Sequence, residues 1–532
     1  MGLYINKGNA WFQAIRRTEY VDKSGLIAIV NNTLLTELRF TCVTRCRRFG
    51  KSMAAKMLAA YYDHSCDSRS LFSDLQIAGD ASFEEHLNKY PVIYIDMTGL
   101  FMLHKEYDDV VKRIDKAVRD DVAAAYPQVP LLEDDDLMGL LLRIVYDTKK
   151  PFFLIIDEWD ALLRECSLNK DLDAIALKKK DDFVNWLRRL FKDANASDAF
   201  VGVYMTGILP IKKYDTQSAL NNFQEYSMVK PGGMGGFFGF TKDEVRMLAE
   251  RHRMDFDELE KWYDGYQIGP QPSMFNPNSV MTALREEWCE SYWGRTGATD
   301  AITGYINMNY DGLKDDIIQM LAGGRCKVDP IGFQNDLAEV HNRDDVLTVL
   351  IHLGYLSYDR RERECFVPNL EVSGELKNAV RDLKWKHVAN ALQQSERLLQ
   401  ATIACDEAAV ACALEAAHSD DTSILSYNDE NSLACVLSIA YYYARNDYHI
   451  HREYASGKGF ADLVMIPRKN VSKPAIIIEL KKDKDVKTAI DQIKERNYPQ
   501  KVAEYTGDIL LVGINYDTET KQHSCKIERW KK

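Results

Sequence analysis

The chain holds eleven cysteines but no Cys-x-x-Cys pair. That removes the usual signature of a zinc ribbon, and an odd, scattered set makes no disulfide framework. Reduced thiols acting as small buried hydrophobes are the expectation. No apolar run approaches the roughly 20 residues that a membrane-spanning helix requires, and no charged-then-apolar secretory signal opens the sequence. A cytoplasmic protein with no membrane partner is therefore expected. Basic charge is also short, with 68 Lys+Arg against 80 Asp+Glu and a net charge of −12. The deficit is uneven, however. Residues 451–532 carry 17 Lys+Arg against 12 Asp+Glu, an excess of +5, which leaves −17 for the first 450 residues. An acidic body with a basic end can meet a phosphate backbone through that end alone.

At 532 residues the chain exceeds one ordinary core, and two to four domains are expected. Apolar and charged fractions of 46% and 28% are those of a globular protein. The stretch Val43-Thr44-Arg45-Cys46-Arg47-Arg48-Phe49-Gly50-Lys51-Ser52 follows the apolar run Leu38–Val43 and precedes a helical pattern beginning near Met53. Strand, loop, then helix is the context a phosphate-binding loop needs, because backbone N–H groups and a helix N-terminus must face one anion. The Gly-Lys-Ser end fits G-x-x-x-x-G-K-[ST]; the first glycine position is Arg45. Arg45, Arg48, Gly50, Lys51 and Ser52 are the nucleotide-binding candidates.

Four short apolar runs, Leu38–Val43, Val92–Met97, Phe152–Ile156 and Phe200–Met205, alternate with helical segments. This spacing predicts a parallel sheet covered on both faces, an α/β core. The third run is tipped by Asp157-Glu158. In a nucleoside triphosphatase Asp157 would join the Mg²⁺ shell beside Ser52 while Glu158 polarises the attacking water. The fourth run ends in Thr206-Gly207 on a strand expected beside the first, where Thr206 can reach the γ-phosphate or the water, or be an ordinary strand-end threonine. Thr241 with Glu244 predicts a capping box, and a domain boundary is placed near 235. Helical patterns with aromatic turn anchors fill 241–375. Residues 376–418 read as one or two amphipathic helices, serving as a connector or as a homo-oligomer surface.

The last hundred residues predict a compact αβββαβ unit: helix 430–445, strands 448–454, 460–466 and 475–480, helix 486–505 and strand 509–514. Asp462 lies on the second strand and the third ends in Glu479-Leu480-Lys481, 17 residues later. Side chains two apart in a strand share a face, so Glu479 and Lys481 point the same way. If Asp462 lies alongside, two carboxylates converge, and a hard cation such as Mg²⁺ or Mn²⁺ relieves their repulsion. Such a metal can polarise a phosphodiester and acidify a bound water while Lys481 steadies the nucleophile or the developing charge. Glu430, Glu453 and Gln492 are accessory candidates.

Tyr20-Val21-Asp22-Lys23, Thr44-Arg45 with Arg47 to Ser52, Asp157-Glu158, Phe238-Gly239-Phe240-Thr241, Trp262-Tyr263-Asp264-Gly265-Tyr266 and Pro368-Asn369 resemble, in this order, the AAA-ATPase-like proteins with a C-terminal PD-(D/E)xK nuclease-superfamily domain. The resemblance implies a P-loop NTPase module (1–235), a mainly helical domain (236–375), a helical connector (376–420) and a restriction-endonuclease-like domain (421–532). It implies that Arg45 is usual in the loop. It maps Asp462, Glu479 and Lys481 onto the nuclease motif, with Glu430 and Gln492 accessory. Ala461 stands where the superfamily's name has proline. The expected function is an ATP-binding, Mg²⁺-dependent nuclease acting on nucleic acid, with DNA the expected partner and the ATPase module as regulator. The rival reading is a nucleotide-dependent switch or scaffold whose last domain binds without cutting.

Overall fold

The computed structural model describes residues 2–132, 135–168, 174–192, 195–211, 220–293, 304–306, 310–333, 340–382, 386–417, 437, 440–456, 459–468, 471–496, 502 and 507–530. The chain groups into two compact units. The first comprises Met1–Trp293, Val328–Arg363 and Pro368–Glu371; the second comprises Gly294–Lys327, Glu364–Val367 and Val372–Lys532.

The first unit is built on a five-stranded sheet of β1 (Phe40–Thr44), β2 (Val92–Asp96), β3 (Phe152–Asp157), β4 (Phe200–Gly207) and β5 (Gln224–Tyr226) in the spatial order β2-β3-β4-β1-β5. Every pairing is parallel. Alternate residues divide between two apolar cores. Phe40, Cys42, Ile93, Ile95, Leu154, Ile156, Val203 and Met205 enter one; Val43, Val92, Tyr94, Phe153, Ile155, Val201 and Tyr204 enter the other. A strand buried on both faces must be apolar throughout, which is why these runs show no polar alternation. In-register pairing of Val43 with Thr206, Thr44 with Gly207 and Asp96 with Asp157 gathers the carboxyl ends at one edge, where open α/β sheets bind ligands. Helix α1 (Lys51–Tyr62) follows β1 there.

Beyond the sheet, α2 (Ala161–Leu168) follows β3, and α3 (Lys242–His252) opens on the expected capping box. Its Glu244 N–H donates to Thr241 Oγ1 at 3.3 Å and the Thr241 N–H to Glu244 Oε2 at 2.7 Å. With α4 (Phe256–Tyr263) and α5 (Pro277–Glu286) it packs around Val245, Leu248, Leu259, Phe275, Val280 and Leu284. Helix α6 (Arg343–Leu353) is buried along most of its length.

In the second unit, β6 (Tyr448–Ser456), β7 (Gly459–Pro467), β8 (Ala475–Lys482), β9 (Ile509–Asp517) and β10 (Gln522–Trp530) form a mixed sheet in chain order. Only β8 and β9 run parallel, and α7 (Val486–Glu495) makes the crossover between them. The last strand adds to the expected αβββαβ order. Helices Leu370–Asp382, Lys386–Ile403 and Glu407–Ala417 stand where the amphipathic connector was expected. The helix expected over 430–445 lies largely outside the described residues; among the described ones, Tyr442–Asn446 form a 3-10 turn.

Candidate functional site

The first site forms at the carboxyl edge of the parallel sheet. Gly50 caps α1 with φ +87°, and Arg48 just before it also has positive φ (+67°), so the chain turns sharply into the helix N-terminus. Lys51 is buried and folds back over its own loop. Its Nζ donates to the carbonyls of Arg45 (3.1 Å) and Cys46 (3.2 Å) and stands 3.4 Å from Glu158 Oε1. Ser52, half-buried, lies on the first turn of α1.

Asp157 is buried between two hydroxyls: Tyr94 Oη donates to Oδ2 at 2.9 Å, and Thr206 Oγ1 donates to Oδ1. Thr206 therefore meets the carboxylate at the tip of the neighbouring strand. Glu158 takes φ +54°, a strained conformation for a side-chain-bearing residue, pinned where its N–H donates to Thr206 Oγ1 at 3.2 Å. Burial opposes ionisation of Glu158, but Lys51 and Arg164 outweigh it and hold the carboxyl below its ordinary range.

Arg45 lies away from solvent altogether. Its Nη1 donates to the carbonyls of Thr44 (2.8 Å) and Tyr226 (2.9 Å), and its guanidinium carbon sits 5.3 Å from the Phe238 ring centroid. Burial lowers it to about 10, so it stays charged at neutral pH. Arg48 Nη1 donates to the Tyr292 carbonyl at 3.3 Å. Arg45 is thus enclosed by protein, while Arg47 and Arg48 are exposed on the loop that leads to Gly50, Lys51 and Ser52.

Several residues at this edge were not singled out from sequence. Tyr94 reaches Asp157 only through the β2–β3 pairing. Asp160 is fully buried, accepts the N–H groups of Ile208 (3.1 Å) and Leu209 (2.8 Å), and faces Arg164 at 3.4 Å. The Asp157-Glu158-Trp159-Asp160 spacing was the available signal for Asp160.

The second site lies at the margin of the mixed sheet. The β7–β8 ladder pairs Leu463 with Ile478, so Asp462 and Glu479 come next along it. Asp462 Oδ2 accepts the Leu480 N–H at 2.7 Å. Glu479 is buried; its Oε1 accepts Lys481 Nζ at 3.0 Å and Gln492 Nε2, while Oε2 is buried with no hydrogen-bond partner. Burial, and then the Asp462 charge, raise Glu479 to about 7. Asp462, Glu479, Lys481 and Gln492 are thereby brought together. Glu453 lies on β6 with its side chain outside the described residues, as is the whole of Glu430.

Gln492 reaches Glu479 because α7 lies close to β9. A Cβ added at Gly513, the register partner of Glu479, would stand 2.9 Å from the Val486 carbonyl and 3.0 Å from Ala489 Cβ. Gly513→Ala is therefore expected to push α7 outward and to weaken any binding of a divalent cation at Glu479 about tenfold, in the range of outer-sphere losses. A Gln492→Ala variant serves as comparison, and wild-type metal affinity in Gly513→Ala would disprove the packing argument.

A resident divalent cation fits this donor set. An unsatisfied buried carboxylate oxygen beside a second carboxylate is what such an ion would relieve, and Mg²⁺ commonly takes one or two carboxylates and completes its shell with water. Among the described residues, no group of three or more His, Cys, Asp or Glu side chains is arranged to hold a metal.

Comparison with known proteins gives two family matches. Residues 8–217 match the family described as a predicted AAA-ATPase, and residues 428–526 match the PD-(D/E)XK nuclease superfamily. The chain joins an AAA-ATPase-like domain to a nuclease-superfamily domain. An uncharacterised protein from the vnfD 5′ region of Azotobacter chroococcum mcd 1 is 22% identical over 400 residues, covering 73% of this chain and 71% of the relative. Among solved structures, the Aeropyrum pernix ORC1 protein in complex with DNA shares 13% identity over 71% of this chain and 97% of its own, with a TM-score of 0.24. That superposition is too loose to carry an argument. Among the described residues, no helix is long and apolar enough to cross a membrane.

Proposed function

We propose that this AAA-ATPase-like, nuclease-superfamily chain is an ATP-binding nuclease that hydrolyses phosphodiester bonds of DNA with Mg²⁺ or Mn²⁺, its ATPase-like domain acting as regulator. The observation that carries the reading is the Glu479 carboxylate. It is buried, raised to about 7, unsatisfied at Oε2 and flanked by Asp462 and Lys481. A vacant buried carboxylate oxygen beside a second carboxylate is what a bound cation would satisfy.

Asp462 and Glu479 would hold the metal, which supplies Lewis-acid polarisation and a more acidic water. Lys481, fixed on Glu479, brings an ammonium to the place where negative charge develops on the phosphorus oxygens. Gln492 keeps the Glu479 carboxylate turned into the site. At the other site, Lys51 and the first N–H groups of α1 would bind the ATP phosphates, Ser52 and Asp157 the nucleotide's Mg²⁺, and Glu158 the attacking water.

The test incubates the full chain with single- and double-stranded DNA and RNA, with and without ATP and Mg²⁺. Metal-dependent cleavage of DNA that responds to ATP is expected. Lys51→Ala is expected to lose ATP binding and the ATP response while keeping basal cleavage. If no nucleic acid is cut with either metal while ATP alters assembly or partner binding, the switch or scaffold reading replaces this one.

A further inference from the structure

The two groups that the ATPase reading needs most are engaged with each other. Lys51 has three N–H donors, and three acceptors surround it: Arg45 O, Cys46 O and Glu158 Oε1. Both oxygens of Glu158 are likewise taken, Oε1 by Lys51 and Oε2 by Arg164 Nη2 at 2.8 Å. Arg164 is in turn seated on Asp160, which is fully buried and fixed by two backbone N–H groups. The strained φ of Glu158 points the same way, because such a backbone persists only where surrounding contacts hold it.

We propose that Arg164, anchored on Asp160, is a positioning residue that parks Glu158 against Lys51 and, after nucleotide phosphates take the lysine, still restrains ATP turnover by holding the other carboxylate oxygen. The inference rests on the ATPase reading of this site. An incoming polyphosphate competes for the Lys51 ammonium with an acceptor it outcharges, and that frees one oxygen of Glu158. Arg164 still holds the other, so the carboxylate leaves its parked position only at the cost of a charge-assisted hydrogen bond. Arg164 therefore limits the fraction of nucleotide-bound molecules in which Glu158 faces the attacking water. The device needs no partner subunit, because all four side chains lie between the loop and the first turn of α2.

The experiment measures ATP binding calorimetrically and phosphate release at saturating Mg²⁺-ATP for the full-length wild type, Arg164→Gln and Arg164→Lys. Arg164→Gln is expected to raise kcat about tenfold, the worth of one charge-assisted hydrogen bond, with KM for ATP little changed. Arg164→Lys, which keeps a cation on both carboxylates, is expected to return kcat toward wild type. Loss of structure does not raise turnover, so the rise separates restraint from scaffolding. Asp160→Asn keeps the acceptor for Ile208 and Leu209 while releasing Arg164, and is expected to raise kcat in the same direction should Arg164→Gln fold poorly. ATP binding with kcat unchanged or lowered in Arg164→Gln and Asp160→Asn overturns the restraint alone. Absence of ATP binding and turnover in the wild type and all variants overturns the ATPase reading together with it.

Discussion

Lys481→Ala is expected to lower metal-dependent cleavage of DNA by about a thousandfold in kcat, the scale seen when one donor is removed from a developing oxyanion, with ATP binding unchanged. The substitution also strips Glu479 Oε1 of one of its two donors, leaving Gln492 alone on a buried carboxylate. Glu479 should then hold its proton more tightly and bind metal less well, so part of the loss is recovered by raising Mn²⁺ and part is not. Asp462 separates the two contributions. Asp462→Asn can still accept the Leu480 N–H and preserve the β7–β8 margin, whereas Asp462→Ala removes that acceptor as well. A nuclease site requires both to be inactive. If Asp462→Asn keeps wild-type cleavage and only Asp462→Ala loses it, Asp462 is a structural residue and the assignment fails.

Acid is expected to destabilise the first unit through His352. This residue lies fully buried near the end of α6, and burial, reinforced by the Arg45 charge, lowers it to about 3. In the unfolded chain it titrates near 6.5. A base whose folded value is depressed contributes stability that is intact above the unfolded value and lost as pH falls toward the folded one. The window is therefore about pH 6.5 down to 3, at about 1.4 kcal/mol per pH unit. His352→Phe removes the titration while roughly keeping the ring's volume. Across pH 6.5 to 4.5 the urea midpoint of the wild type should fall more steeply than that of His352→Phe, the carboxylates common to both cancelling. Parallel curves would show that His352 takes up its proton as readily in the folded protein as in the unfolded chain.

Much of the architecture was legible because its signals are local. Gly50-Lys51-Ser52 after an apolar run, Asp157-Glu158 at a strand tip and Glu479-Leu480-Lys481 at another each combine a fully buried strand with polar residues at its end. The β1–β4 pairing follows the expected placement of β4 beside β1, and the other neighbour of β4, β3, brings Asp157 to Thr206. What escaped depends on distant partners. Arginine is rarely buried, so nothing in the sequence distinguishes the enclosed Arg45 from a solvent-facing loop cation. Asp160 and Arg164 acquire meaning only when the bend after β4 supplies the Ile208 and Leu209 N–H groups and the loop supplies Lys51. Strand β10 was unreadable for another reason: Gln522–Trp530 is rich in polar residues and lies at the sheet's edge, so it lacks the apolar run by which buried strands announce themselves.

The phosphate loop is held by segments made much later. Phe49 accepts the Gly239 N–H at 3.2 Å and packs edge-on against Tyr266 at 5.0 Å. Tyr266 Oη donates to the Gly354 carbonyl at 2.8 Å, and a Cβ on Gly354 would collide with Cys46 at 2.6 Å. During synthesis at about 5–20 residues per second, the ribosome needs roughly 15–60 s to travel from Cys46 to Gly354. Throughout that interval the nascent chain carries a nucleotide loop without its final support. Under the proposed function, any response to nucleotide would begin only when most of the chain has emerged.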